Sequence, residues 1–244
     1  LQNLKNEWIK LTRKRSTIVL LIITAIFPLL AGPLVQMLQN RFGFTAFDGE
    51  SFPLVILSLA ITFYLPLLLA FVISDMFAGE QEQKNLPFLL VRPISRYHLF
   101  NSKILCTGIY LFILLIIICI TSLITGAIWL ENFTFHGLML GVTAYILSWF
   151  PLMAIGVLLV FLVQWIGSSS KALTFSILLY LVMIVLTYLF PTVAQWLPAY
   201  DNDWYQRWMN SGFNVVNLGR GVYLLSWFAM FFTLGFNKFN QKEF

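Results

Sequence analysis

The side chains able to do chemistry in this chain are few, and their placement excludes more than it offers. The ten acids are Glu7, Asp48, Glu50, Asp75, Glu80, Glu82, Glu131, Asp201, Asp203 and Glu243. All of them, the basic residues and both histidines (His98 and His136) fall outside the long apolar runs or at their ends. Proton- and ion-coupled carriers generally place ionisable groups within the membrane, so this distribution argues against one, although backbone carbonyls remain able to bind sodium. No run contains a His-Glu-x-x-His pair, a buried acid pair or a Ser–His pairing, the constellations of an intramembrane metalloenzyme or hydrolase. Gly167-Ser168-Ser169-Ser170-Lys171 lacks the spacing of a phosphate-binding loop. Cys106 and Cys119 share one run, and on a helix they stand nearly 20 Å apart along the axis, beyond any disulfide. They read as small packing residues. Asn132-Phe133-Thr134 matches a glycosylation acceptor, a tripeptide common by chance. No catalytic residue and no metal site is expected, and work done by this chain needs energy from another one.

The elements that would hold these groups are transmembrane helices. Of 244 residues, 59% are hydrophobic and only 10% charged, against about a quarter charged in soluble domains. The apolar residues come in runs of about 20 or more, the length that crosses roughly 30 Å of hydrocarbon. Six runs are expected, at 16–38, 53–76, 104–130, 138–165, 172–190 and 219–236. Pro28 and Pro33 should kink or end the first early. Pro66 and Pro151 are tolerable where neighbouring helices satisfy the freed carbonyls. No secretory signal peptide is evident in the polar, basic start.

Orientation follows from the basic residues. Lys5, Lys10, Arg13, Lys14, Arg15, Lys84, Arg92, Arg96, Lys103, Lys171, Lys238 and Lys242 lie on one side, and only Arg41, Arg207 and Arg220 on the other. The positive-inside rule makes the first side cytoplasmic, with both termini there, as an even number of spans requires. Trp129, Trp165, Trp196, Trp204 and Trp208 fall near water boundaries and read as an interfacial belt. Trp149 and Trp227 lie deeper and read as packing residues.

Two segments outside the spans carry pattern. In residues 1–15, Leu1, Leu4, Trp8 and Leu11 form one helical stripe beside a basic set that includes Arg13 and Arg15. Such a helix is expected to lie in the membrane interface, with Trp8 among the headgroups. A plain positive-inside anchor is the simpler alternative. The loop at 77–103 combines dense charge with an apolar core of Leu86, Phe88, Leu89, Leu90 and Val91. That core is far too short to span and should dock on protein or membrane surface. Pro93 stops any helix at or before Arg92, and Ser95 is placed to cap the next one.

This loop resembles that of the ABC-2 permeases of ATP-binding-cassette exporters. The resemblance rests on Gly79-Glu80-Gln81-Glu82, the Leu89-Leu90 pair, Pro93-Ile94-Ser95-Arg96 and Lys103, in order and spacing. Lys84-Asn85 departs from the Gly-Thr frequent in that family, and Pro87 follows it, so the local helix geometry is open to difference. The amphipathic start is similar to the family's elbow helix, and six spans fit its layout.

The resemblance implies an all-α, single-domain membrane protein of ABC-2 exporter type: an elbow helix at 1–15, six spans, a cytoplasmic coupling loop at 77–103 and an outer loop at 191–218 with short re-entrant helices. It implies no enzyme activity and no cofactor on this chain, with ATP and Mg bound by a separate ABC ATPase subunit. The coupling loop would seat in a groove of that ATPase. Leu86, Phe88, Leu89 and Leu90 would be buried on the partner, with Gly79, Glu80, Glu82, Arg92, Pro93 and Arg96 around them. A second permease chain, identical or not, and membrane lipid complete the expected partners; no nucleic acid is expected. The expected location is the cell membrane, and the expected cargo an amphipathic, peptide, drug or lipid-like compound moved by alternating access. The alternatives are a non-transporting scaffold or immunity protein, and an ion-coupled carrier.

Overall fold

The computed structural model describes residues 2–42, 48–82 and 95–241. The first helix, α1 (Gln2–Arg13), is short and amphipathic. Six long apolar helices follow: α2 (Arg15–Phe42), α3 (Phe52–Glu82), α4 (Arg96–Trp129), α5 (Phe135–Val163), α6 (Ser169–Leu189) and, after a separate amphipathic helix α7 (Trp204–Ser211), α8 (Val215–Asn240). Each of the six is long and apolar enough to cross a bilayer. The N-terminal helix packs against the start of α4, and the end of α8 meets Arg96 at the same place. The first and last described helices therefore meet at one end of the bundle, here the terminal side.

Burial ranks the spans. Within the most apolar window, 61% of α3 and 67% of α5 is buried, against 17% of α2 and 11% of α8. The core is built mainly from α3, α4 and α5, and α2 and α8 lie at the periphery with apolar faces turned outward.

The prolines are accommodated in two ways. Pro66 has no N–H to give the carbonyl of Thr62, and a π turn at Ala60–Tyr64 also frees the carbonyl of Ile61 by moving the Leu65 N–H to Ala60. The hydroxyl of fully buried Tyr180 on α6 donates towards both, 2.9 Å from Thr62 O and 3.3 Å from Ile61 O. A neighbouring helix thus supplies what Pro66 removes. In α2, by contrast, the helix runs on through Pro28 and Pro33 to Phe42 instead of ending early. Contact with α4 explains its continuation: at Gly32 a Cβ would stand 2.0 Å from a methyl carbon of Thr125, so the two helices touch where only glycine fits. Thr24 and Tyr64 hydroxyls, 2.6 Å apart, join α2 to α3 in the same region.

The side opposite the termini is capped by the 191–214 segment. Its helix α7 lies against α5 and buries Trp204 and Tyr205. Trp204 meets Phe150 and Trp208 edge-on, so it packs inside the protein and is not part of an interfacial belt. Trp165 and Trp196 remain exposed.

Candidate functional site

At the terminal side α3 ends in a second π turn, Ser74–Ala78, and a last turn, Gly79–Glu82. The inserted residue of a π turn rotates the side chains that follow it. Here the acids Asp75, Glu80 and Glu82 point to three different neighbours. Gly79 fits the crowded start of that last turn, since a Cβ there would lie 3.3 Å from the Asp75 carboxylate and 3.8 Å from Ser169.

Glu80 belongs to a closed ring of four charges. The Lys103 ammonium donates to Glu7 Oε2 at 2.9 Å, Glu80 Oε2 at 2.8 Å and the Met76 carbonyl at 3.2 Å. Lys10 donates to the other oxygens, Glu7 Oε1 at 2.7 Å and Glu80 Oε1 at 3.2 Å. Each carboxylate therefore serves both ammonium groups, and all three Lys103 protons have an acceptor. The Lys103 side chain is 1% exposed and that of Glu7 4%, whereas Lys10 is 42% exposed. Burial alone would raise the Glu7 carboxyl above its ordinary range, but Lys103 and Lys10 outweigh it and hold it low. Burial likewise pulls the Lys10 ammonium down, and Glu7 and Glu80 more than restore it.

The other two acids extend the junction. Asp75 pairs with Lys14, in the break between α1 and α2. Glu82 accepts from the Ser169 N–H at 2.9 Å and the Ser168 hydroxyl at 3.2 Å. It thereby caps the first turn of α6, whose own Ser168 makes no side-chain cap. Ser95 caps α4 by accepting from His98 N at 3.3 Å, and Arg96 donates to the Asn240 carbonyl of α8. The segment leading into the 83–94 stretch is thus tied to α1, α2, α4 and α6 by charged side chains.

Of the residues singled out in the sequence, Gly79, Glu80 and Glu82 meet at this junction, and Arg96 joins the start of α4 to the end of α8. Leu86, Phe88, Leu89, Leu90, Arg92 and Pro93 lie outside the described residues. The α1 stripe faces inward: Leu11 is buried, and Leu4 and Trp8 are half-buried against the core. Arg13 and Arg15 carry no described ion pair, and Arg13 is exposed. The sequence pattern marks Lys10 and Lys103 as residues of the basic side, Lys103 also as part of the family resemblance, and gives Glu7 no role. The available signal was Glu7 as the one acid in the basic stretch before Arg15, three residues from Lys10. Among the described residues no group of three His, Cys, Asp or Glu could hold a metal ion. The charged side chains of this arrangement join the end of α3 to α1, α4 and α6.

A family model described as an ABC-2 family transporter protein matches residues 3–187. The chain belongs to the ABC-2 transporter family. It is a multi-pass membrane protein and a permease of an ABC transporter, and members of this family are generally the non-enzymatic membrane component. The match runs from α1 almost to the end of α6 and so contains the whole junction. No curated protein matches the chain.

The opposite side of the permease holds a second charged cluster, beyond the matched region. Asp201 is fully buried, with Arg207 of α7 at 3.6 Å and Arg220 of α8 at 3.8 Å. Neither distance is a hydrogen bond, and both carboxylate oxygens lack a partner. The two guanidinium groups also face the Tyr200 ring, 5.2 and 5.5 Å from its centroid. Burial pushes the Asp201 carboxyl up to about 6, with Arg220 and Arg207 pulling it back and Asp203 adding to the rise. Beside this cluster, a polar cavity of about 330 Å³ opens between α3, α6 and the capping segment, lined by Thr62, Thr187, Asn202 and Arg207 among others. Asn202 donates to the Tyr180 hydroxyl at 3.1 Å, joining the cap to the Pro66 repair.

Proposed function

We propose that this permease is the membrane-spanning subunit of an ATP-driven exporter, coupled to a separate ATPase subunit through the 83–94 stretch that joins α3 to α4 and paired with a second permease chain. The observation that carries this reading is the junction at the base of the loop. Force applied to the loop reaches α1, α2, α4 and α6 through Lys10, Lys14, Lys103 and the Ser168–Ser169 cap. Hydrolysis of ATP, with its Mg, takes place on the partner. Closure of two ATPases would move the loops and rock the two helical bundles between inward- and outward-open forms.

The excess of basic residues on the terminal side supports placing both termini in the cytoplasm of a cell-membrane protein. Amphipathic, peptide, drug or lipid-like cargo is favoured by the surfaces available. The cavity between α3 and α6 is polar, whereas a groove of about 690 Å³ between α4, α5 and α8 is almost wholly apolar. An ion-coupled carrier draws less support, because Glu7, Glu80 and Lys103 are committed to one another.

Replacing Leu89 and Leu90 with Asp tests the docking. Co-purification with an ABC ATPase subunit that binds the unaltered permease should be lost while the permease remains folded. Undiminished binding and transport would sink the assignment.

A further inference from the structure

We propose that Glu7, Lys10 and Lys103 are positioning residues that lock α1, the last turn of α3 and the first turns of α4 into one rigid unit, so that movement of the loop is delivered to the spans. The proposal rests on the coupling reading above and names the parts that transmit the motion.

A lysine at the end of a span ordinarily snorkels to the headgroups, keeping its charge in water. Lys103 does the reverse. Its ammonium turns inward, sits 5.7 Å from the centroid of the Phe77 ring, and satisfies all three protons on α1 and α3. A single ion pair would act as a hinge, free to pivot about one contact. The alternating ring Glu7–Lys10–Glu80–Lys103 removes that freedom, because each carboxylate is held at both oxygens by cations from different directions.

Opening the ring would leave a fully buried ammonium without its counter-charges, a far larger penalty than opening an exposed pair. Lys14–Asp75, with side chains 40% and 28% exposed, exchanges readily with water by comparison. The junction therefore contains a rigid part and a yielding part. The rigid part joins the elbow helix to the third span; the yielding part joins the loop base to the first span.

The test uses the permease co-purified with its ATPase and placed in lipid nanodiscs. Leu189→Cys, exposed at the end of α6 on the side opposite the termini, reports the nucleotide-driven change through its rate of modification by a maleimide. Cys106 and Cys119 are buried and give little background. In Glu7→Gln and Lys103→Met the ATPase should stay bound and keep hydrolysing ATP. The change in labelling rate on adding ATP and vanadate should fall by about tenfold or more. Lys10→Met, at the exposed corner of the ring, should lose only about two- to threefold. Lys103→Arg, which keeps the charge, should recover part of the response.

A full nucleotide response in Glu7→Gln with the ATPase bound overturns the inference and leaves the coupling reading standing. Loss of the ATPase from Glu7→Gln also overturns it, since the ring would then serve docking and not transmission. Failure of the unaltered permease to bind any ATPase overturns the coupling reading itself. Should Lys103→Met not fold, Glu7→Gln and Lys10→Met still decide the matter, because both leave Lys103 paired with Glu80.

Discussion

Asp201→Asn should stabilise this permease at neutral pH and leave it unchanged in acid. The aspartate is fully buried and receives no hydrogen bond, so its charged form is poorly solvated despite two nearby arginines. A carboxyl held at about 6 in the fold, against an ordinary value of 3.8, corresponds to about 3 kcal/mol in favour of the neutral form. The sign follows from the proton count. Between pH 4 and 6 the folded protein holds a proton that the unfolded chain has lost, so the Asp201 contribution is fully present below about 4. It is lost as pH rises through 6. Asparagine mimics the neutral form at every pH. Arg207 and Arg220, at 28% and 24% exposure, keep enough water to tolerate the loss of their counter-charge. The assay compares thermal midpoints of the two proteins at one scan rate from pH 4.5 to 7.5, followed by tryptophan fluorescence. Their difference isolates Asp201 from Glu7, whose lowered carboxyl gives the opposite slope. The midpoints should nearly coincide at pH 4.5. At pH 7.5 the variant should lie higher, by up to about 8 °C for a chain of this size. A variant less stable than the parent at pH 7.5, or a difference that does not vary with pH, would refute the reasoning.

Three further outcomes are expected. Tyr180→Phe removes the hydroxyl that serves Ile61, Thr62 and Asn202; it should cost about 2–4 kcal/mol and raise amide exchange around the Pro66 π turn, and an unchanged exchange pattern would show those carbonyls find other donors. Glu82→Ala deprives α6 of its cap and should cost about 1 kcal/mol, read as faster exchange at Ser169 and its neighbours with little change elsewhere. Gly32→Leu forces α2 away from Thr125 and should lower the thermal midpoint by the equivalent of about 1–3 kcal/mol; a neutral result would mean the two helices separate without cost.

The six spans were legible because hydrocarbon thickness sets a length that the chain must meet, and the runs around 53–76 and 138–165 meet it. The cap at Ser95 was legible too, since a serine after a proline at the head of an apolar run is a local signal. Contacts made across distance were not. Glu7 and Lys103 are 96 residues apart and share no spacing rule. Whether Lys103 points to headgroups or inward depends on α1 lying against α4, which only the assembled bundle decides. Trp204 reads as interfacial by its position near water, yet α7 folds onto α5 and buries it. The prolines of α2 show the same limit, as local chemistry favours a break and packing against α4 carries the helix through.

The ring of charges also bears on the order in which the chain can assemble. Synthesis delivers Glu7 and Lys10 first, Glu80 next and Lys103 last. Until Lys103 arrives, Glu7 and Glu80 share only the exposed Lys10, and α1 has no buried cation to hold it against the bundle. Docking of the N-terminal helix is therefore deferred until the third span has entered. A truncated product lacking α4 would be without the buried cation that holds α1 and should expose that helix to proteolysis.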